Sequence, residues 1–447
     1  MGDAMTFAIS WQWLSASHES PEVGLTSAKL KLLLGQQVIT RHVDECSQTV
    51  SDEVRLSTYP LALWLASNWW RLRWEPLPPG SPVVSWKMSH EMAAAGYGYL
   101  WPRVAFASDG EVIHVWSEPT SADSPQPVRY LSGGYATVAA VEFERAVEHF
   151  LEGVLARLDA LGVDNTDLHQ LWRELGVERT NAALAAYRRL EAIAGFDAGE
   201  GPEDILARLE ALAPEAGMGA VHELATLCAV IAPEQLLEAT TNLARKPGLP
   251  ARPDQVVTGS GLVESVDQNW PAWVRGKEIA LTLRHRLGLD GQPLLDEDLC
   301  RLMGVPADRA SWPAETEASM PLGLAVREDP VQLNLHLRRR SATGQRFELA
   351  RLLCDHVTAD RADRWLPVTD GKTSRQKLQR AFAAEFLCPV ESLKVFLGGD
   401  FSDDAIEAAA EYFRVGLRAV QSQLVNNRIL PREILMDFEA GIGLPYR

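Results

Sequence analysis

The spacing of apolar residues changes near Val138, and this change constrains the fold more than any other feature of the sequence. Before it lie short apolar segments typical of strands, at 28–34, 37–43 and 111–116, and one helical segment at 60–73. After it, apolar residues recur mostly at spacings of three and four, as in one long amphipathic helix. We therefore predict an α+β fold that is rich in helix and divided into several domains.

Length and composition indicate how the chain divides. At 447 residues it has room for two or three domains of ~100 to 200 residues each. Nine of its fourteen tryptophans precede residue 120, and residues 244–261 contain three prolines and three glycines with little apolar content. The predicted segments are a Trp-rich α+β domain at 1–135, a helical domain at 136–243, a linker at 244–261 and a C-terminal α+β domain at 262–447.

No feature of the sequence predicts a membrane or secreted protein. Apolar residues make up 46% and charged residues 23% of the chain, and no uncharged apolar run reaches the ~18 residues that span a bilayer. The start, Met1 to Trp13, lacks the basic stretch and apolar core of an export signal. The five cysteines are far apart and include no C-x-x-C pair. We expect a cytoplasmic location, reduced thiols and no membrane partner.

The formal charge of -17 does not favour binding to nucleic acid, because a polyanion would be repelled over most of the surface. A local basic patch could overcome this general field. The candidates are Arg338, Arg339, Arg340 and Arg346. The favoured interpretation of this cluster is solvated charge beside a strand and its turn.

Two features of the N-terminal segment have competing interpretations. The tryptophans could line a binding groove, but a core is favoured because each large aromatic side chain buries ~150 to 250 Å². His90 and Glu91 resemble the start of an H-E-x-x-H zinc helix, but Ala94 occupies the position of the second histidine. We therefore interpret His90 as a surface or semi-buried histidine.

The C-terminal segment contains three helical motifs after an apolar hairpin predicted at 322–326 and 331–335. The first helix starts near Gln345 and contains Arg346-Phe347-x-Leu349-Ala350. The second, at about 375–387, contains Phe382-Ala383-Ala384-x-Phe386-Leu387-Cys388-Pro389. The third stretch contains Ala409-Ala410-x-x-Phe413-x-Val415, followed by Ala419-Val420 and Leu424.

In order and spacing these motifs resemble the ImmA/IrrE-type metallopeptidase domain. That family has an R-F-x-L-A-H-E-x-G-H helix, an E-x-x-A-x-x-F-A-A-x-L-L-M-P helix and a helix-turn-helix-like tail. The resemblance covers residues 320 to 430, about a quarter of the chain. It implies a zincin-like α+β domain with a helical tail.

The resemblance also implies that every functional side chain has been replaced. The first zinc-binding histidine falls on Arg351, the general base on Leu352, the second histidine on Asp355 and the downstream acid on Gln376. A guanidinium stays cationic and repels a metal, and a leucine cannot transfer a proton. We therefore predict no catalytic residue, no cofactor and no metal site.

Helical spacing suggests what fills the zinc position. Arg351 and Asp355 lie at i and i+4, so we predict an ion pair between them, with Gln376 adding a hydrogen bond. A different metal or thiol site could be formed by Cys354, Asp355, His356 and Cys388, although two buried cysteines that only fill space are favoured.

Three functions follow as expectations. The favoured one is a non-catalytic regulatory or protein-interaction protein, linked by the resemblance to stress response, toxin–antitoxin systems or mobile-element defence, with another protein as partner. The second is an active zinc metallopeptidase that cleaves a partner regulator. The third is a DNA-binding regulator in which Arg414, Arg418 and Arg428 face phosphates and a helix at 417–425 reads the bases. Against the third, Phe413, Val415, Val420 and Leu424 could simply pack on the domain.

Overall fold

The computed structural model describes residues 6–15, 20–254, 261–264, 266–289, 291–309, 312, 321–329 and 331–431. The described chain forms two compact units. The N-terminal unit contains described residues of Met1–Leu77 and Pro82–Pro202, and the C-terminal unit those of Pro78–Ser81 and Glu203–Pro445. Both units combine antiparallel strands with a larger share of helix, which confirms the helix-rich α+β prediction.

The N-terminal unit is built from ten strands and seven α-helices in its described residues. In chain order they are β1 (Phe7–Trp13), α1 (Pro21–Gly24), β2 (Ser27–Leu34), β3 (Gln37–Val38), β4 (His42–Asp44), β5 (Thr49–Ser51), β6 (Val54–Ser57), α2 (Tyr59–Ser67), α3 (Trp69–Trp74), α4 (Val84–His90), β7 (Arg103–Ser108), β8 (Val112–Glu118), β9 (Val128–Tyr130), β10 (Gly134–Ala139), α5 (Ala140–Ala160), α6 (Asp167–Thr180) and α7 (Ala182–Ile193). A 3₁₀ turn spans Met92–Ala95.

Three small antiparallel sheets share the N-terminal core. Their strand orders are β1-β2-β3 with β6 beside β2, β10-β8-β7, and β5-β4-β9. Helix α5 packs an apolar stripe that includes Phe143, Phe150 and Val154 into this core, as its spacing predicted. Most of the N-terminal tryptophans belong to the core or pack against it, which confirms the favoured interpretation.

Two N-terminal predictions need correction. The segment 60–73 forms two helices, α2 and α3, separated at Asn68. His90 is fully buried rather than near the surface, because its Nε2 bonds Glu75 Oε2 at 2.8 Å and its Nδ1 lies 2.8 Å from the Phe106 carbonyl oxygen. Burying an imidazole requires that its polar atoms find partners, and both do here.

The C-terminal unit has four strands and ten α-helices in its described residues. In chain order they are α8 (Glu203–Ala216), α9 (Met218–Ala225), α10 (Pro233–Arg245), β11 (Leu249–Ala251), α11 (Ala272–Arg286), α12 (Asp296–Met303), β12 (Gly323–Arg327), β13 (Leu333–His336), α13 (Ala342–Thr358), β14 (Trp365–Val368), α14 (Ser374–Leu387), α15 (Val390–Leu397), α16 (Asp403–Phe413) and α17 (Leu417–Asn426). A 3₁₀ turn spans Thr226–Ala229.

One antiparallel sheet of order β11-β13-β12-β14 organises the C-terminal unit, and its central pair β12 and β13 confirms the predicted hairpin. The linker prediction is wrong for residues 249–251, which form the edge strand β11 against β13. Pro250 fits there because an edge strand can leave one backbone position without an N–H donor. Residues 255–260 of the predicted linker lie outside the described residues.

The unit boundary differs from the predicted domain boundaries. Helices α5, α6 and α7 belong to the N-terminal unit, whereas α8, α9 and α10 belong to the C-terminal unit. The predicted helical segment 136–243 is therefore divided between two compact bodies. Apolar periodicity finds amphipathic helices but does not show which core receives each buried face.

Among the described residues, none of the helices has both the length and the apolar character that a membrane span requires.

Candidate functional site

Helices α13 and α14 carry the four positions at which the family resemblance places zinc chemistry. Both helices begin with a side-chain cap: the Ser341 hydroxyl accepts from Gly344 N, and the Thr373 hydroxyl accepts from Gln376 N. Such caps satisfy backbone donors that have no partner inside the helix. The two helices pack against each other, and Arg351, Leu352, Asp355 and Gln376 are all buried.

Arg351 is held by neutral oxygen atoms. Its guanidinium donates to the Thr369 carbonyl oxygen at 2.7 Å and to the side-chain oxygens of Gln376 and Gln379. The Gln376 oxygen also accepts from Thr369 N at 2.9 Å, and its amide nitrogen donates to the Pro367 carbonyl oxygen at 3.0 Å. The hydrogen bond predicted from Gln376 is therefore present, and Gln379 adds an acceptor that the sequence did not indicate.

Asp355 pairs with Arg375, so the predicted Arg351–Asp355 pair is wrong. Arg375 donates Nε to Asp355 Oδ1 and a terminal nitrogen to Asp355 Oδ2, each at 2.8 Å. Its other terminal nitrogen donates to Asp363 Oδ2 at 2.7 Å. A bidentate arginine–carboxylate pair of this geometry is among the stronger charged hydrogen bonds in proteins. The guanidinium beside Asp355 thus comes from α14 and not from its own helix.

Helix α9 borders this charged cluster. Its residue Glu223 is buried and accepts from the Thr373 hydroxyl at 2.9 Å, and Gly219 N donates to Asp363 Oδ1 at 3.0 Å. A Cβ at Gly219 would lie 2.3 Å from Asp363 Oδ2, so any other residue here would displace the Asp363 carboxylate. Sequence reasoning did not connect Glu223 or Asp363 with the site, because both lie outside the matched motifs.

Burial and neighbouring charge shift several pKa values in the cluster. Burial, reinforced by the cations of Arg380 and Arg338, lowers the pKa of Arg351 to about 9. Burial alone would lower the pKa of Arg375, but the Asp355 carboxylate outweighs it and the pKa is raised. Burial also raises the pKa of the Glu223 carboxyl. Arg375 is therefore the firmly charged cation of the cluster, whereas Arg351 carries a charge without a bonded carboxylate.

The side chains at these positions do not fit zinc. Arg351 is a cation, Leu352 lies in the apolar core, and Gln376 uses its oxygen to accept from Arg351 and Thr369. Asp355 is the single carboxylate among the four, and Arg375 occupies both of its oxygens. Zinc in proteins requires deprotonated sulfur, imidazole or carboxylate ligands in a tetrahedral set. These residues offer no such set.

The alternative metal residues do not converge either. Cys354, Asp355 and His356 are consecutive on α13 and so point in different directions around the helix. Burial raises the pKa of the Cys354 thiol well above its usual value and that of Cys388 to about 12, which keeps both thiols protonated. Among the described residues, no three His, Cys, Asp or Glu side chains come together in a way that could hold a metal ion.

The predicted basic patch is partly buried. Arg338 forms a two-pronged bond to Asp370 at 2.9 and 2.7 Å, and Arg346 bonds Asp296 and the Leu294 carbonyl oxygen. Their side chains are only 8% and 2% exposed. The interpretation as solvated charge is thus wrong for these two residues, although Arg339 and Arg340 are exposed.

The end of α16, the following turn and helix α17 pack within the unit. Phe413, Val415, Val420 and Leu424 are all buried, which confirms the packing interpretation of the tail. Gln423 donates to the Cys388 carbonyl oxygen at 2.8 Å and to Glu385 Oε2 at 3.1 Å. Arg414, Arg418 and Arg428 remain exposed.

No protein-family model matches the chain, and neither a curated protein nor a solved structure matches it.

Proposed function

We propose that the C-terminal unit is a non-catalytic regulatory or protein-interaction module of ImmA/IrrE-like ancestry. The observation that carries this proposal is the hydrogen bonding of Arg351, Asp355 and Gln376, which engages the positions where that family binds zinc. Buried polar groups that bond one another stabilise a fold and are not free to react with a substrate, and among the buried polar atoms of these three side chains only Arg351 Nε has no partner. A domain with the helices of that family but without its catalytic side chains would act by recognising another protein. From the family resemblance, we place this role in stress response, toxin–antitoxin systems or mobile-element defence.

The proposal includes a cytoplasmic location. Its support is the set of five free cysteines, which the sequence spreads without a C-x-x-C pair.

A zinc measurement tests whether the module is non-catalytic. We expect the purified full chain to retain no stoichiometric zinc after dialysis, and its melting temperature to stay unchanged when zinc chloride is added, because Arg375 occupies both Asp355 oxygens. Elemental analysis and thermal melting measure the two quantities. Zinc retained at one ion per chain, with a raised melting temperature that His356→Ala abolishes, would contradict the proposal and support the peptidase alternative.

The face shared by α15 and α16 is the surface that we propose for the partner. Val395 is 83% exposed, Phe396 40% and Tyr412 44%. The Phe396 and Tyr412 rings stack with centroids 4.7 Å apart, and Val395 precedes Phe396 on α15. We call Val395, Phe396 and Tyr412 the apolar patch. Exposed apolar side chains with polar surroundings are typical of protein-binding sites.

Acidic residues near the apolar patch indicate that its partner carries positive charge. Helix α16 carries exposed Asp403, Asp404, Glu407 and Glu411. At about 100° per residue, Asp404 and Glu411 lie on the same side of the helix, about 80° and 100° around the axis from Tyr412. The whole chain has a formal charge of -17. We therefore propose a partner protein with a basic surface that presents an apolar side chain, since charge complementarity selects such a partner over nucleic acid.

Substituting Val395 tests this surface. A synthetic amphipathic helix of lysine and leucine should bind the full chain, and Val395→Lys should weaken its binding at least tenfold, because the new cation removes apolar contact and repels the peptide. Fluorescence anisotropy of the labelled peptide measures the dissociation constant. Val331→Lys is the matched control, since Val331 is 47% exposed and lies beside the hairpin. Equal weakening by both substitutions would assign binding to general charge and exclude the patch.

A further inference from the structure

Asp109, His114 and Tyr135 form a hydrogen-bonded line in the N-terminal unit that leads from the interior to the surface. The His114 Nδ1 atom lies 2.6 Å from the Tyr135 hydroxyl oxygen, and its Nε2 atom lies 3.2 Å from Asp109 Oδ2. Exposure increases along the line, from 4% at Asp109 and 8% at His114 to 40% at Tyr135. A buried acid, an imidazole and an exposed hydroxyl thus follow one another in this order.

Strand pairing places His114, Trp116 and Tyr135 on one face of the sheet β10-β8-β7, and Asp109 lies in the turn between β7 and β8. In the register of β8 and β10, Thr137 is opposite His114 and Tyr135 is opposite Trp116. Tyr135 is therefore the diagonal neighbour of His114, within reach of a long aromatic side chain. The Trp116 ring lies 5.7 Å from the Tyr135 ring and 5.8 Å from the His114 ring, measured between centroids.

The bonds of Asp109 fix the tautomer of His114. Asp109 Oδ1 accepts from the backbone N–H groups of Glu111 at 3.0 Å and Val112 at 2.9 Å, which orients the carboxylate. Because a carboxylate only accepts, the neutral imidazole donates its Nε2 hydrogen to Asp109 Oδ2. The lone pair of Nδ1 then accepts the Tyr135 proton. The His114 and Tyr135 ring planes are inclined by only 16°, with centroids 5.8 Å apart.

We propose that Tyr135 is a nucleophile that accepts acyl groups, with His114 as its general base and Asp109 as the positioning residue that orients the imidazole. The arrangement has the order and contact distances of nucleophile–base–acid triads. The substrate class is an activated ester with an aromatic or other planar part, because the Trp116 ring beside Tyr135 offers a surface for stacking. This site is separate from the proposed function of the C-terminal unit.

The acyl transfer balances without a further reactant. Tyr135 Oη attacks the carbonyl carbon while its proton moves to His114 Nδ1. The bond from the carbonyl carbon to the leaving oxygen then breaks, and the leaving group takes the proton from the imidazolium. The products are a Tyr135 ester and a free alcohol or phenol. Because the ester of a phenol is itself activated, water deprotonated by the same imidazole can hydrolyse it and release the free acid.

Site-resolved acetylation tests this inference. The full chain is treated briefly with p-nitrophenyl acetate at neutral pH, and acetylation of each tyrosine is followed by peptide mass spectrometry. We expect Tyr135 to react at least ten times faster than Tyr412, the matched control, which is 44% exposed. Replacing the base, by His114→Gln, should reduce the Tyr135 rate to that of Tyr412.

Two outcomes would overturn the inference. Equal rates at Tyr135 and Tyr412 in the unaltered chain would show that the phenol is not activated, and this comparison needs no variant. A fast Tyr135 rate that survives His114→Gln would exclude His114 as the base. Tyr135→Phe keeps the ring and removes the hydroxyl, so it serves as the check that the acetylated peptide is correctly assigned.

Discussion

Replacing Arg375 by methionine is expected to destabilise the C-terminal unit by about 3 to 5 kcal/mol. The substitution removes both hydrogen bonds to Asp355, which is fully buried, and the bond to Asp363. Two carboxylates would then remain inside the protein without their cation, beside Glu223. Hydrogen exchange of peptides that cover α13 and α14, read by mass spectrometry, measures the free energy of opening in this region.

Two companion substitutions separate loss of the charge pair from loss of an arginine. Arg301→Met removes a surface pair with Asp298, in which the arginine side chain is 74% exposed, and should change the opening free energy by less than about 0.5 kcal/mol. Arg351→Met leaves only neutral acceptors behind and should cost about 1 to 2 kcal/mol. If Arg351→Met costs as much as Arg375→Met, the stranded carboxylates are not the cause of the destabilisation.

Local pattern predicted the elements around the site but not the pairing across it. The periodic apolar residues and the side-chain caps determine where α13 and α14 begin, and the alternating strands before them determine the hairpin. Helical spacing also predicted an Arg351–Asp355 pair, since i and i+4 are neighbours. Arg375 pairs with Asp355 instead, because the packing of α14 against α13 brings its guanidinium to both Asp355 oxygens. Sequence spacing carries no information on that approach.

The other errors have the same origin. The composition of residues 244–261 is that of a linker, yet β11 forms there because the edge of β13 supplies hydrogen-bond partners to a short extended segment. His90 was predicted to be at the surface or semi-buried because Ala94 breaks the zinc motif, yet Glu75 and the Phe106 carbonyl oxygen satisfy its ring inside the core. In each case a partner distant in sequence decides the outcome. Residues such as Glu223 and Asp363 join the site in the same way.

Replacing Gly276 by alanine is expected to destabilise the C-terminal unit by about 2 to 3 kcal/mol, although alanine is the better helix former. Gly276 lies on α11 where that helix meets α14. A Cβ at this position would lie 2.4 Å from the Leu378 carbonyl oxygen and 3.1 Å from Phe382 N. Both atoms are helix backbone and cannot rotate away, so the two helices must separate and loosen the core around Phe382 and Phe386.

Gly176→Ala is the matched control, because it makes the same chemical change at an open position. Gly176 lies within α6, and a Cβ there would meet nothing within 4 Å. With no steric cost, the helix propensity of alanine should stabilise α6 by up to about 1 kcal/mol. Hydrogen exchange of peptides from α11 and α6 measures both effects, which should have opposite signs. A stabilised α11 in Gly276→Ala would show that the two helices yield easily and that the close backbone contact does not hold the C-terminal core together.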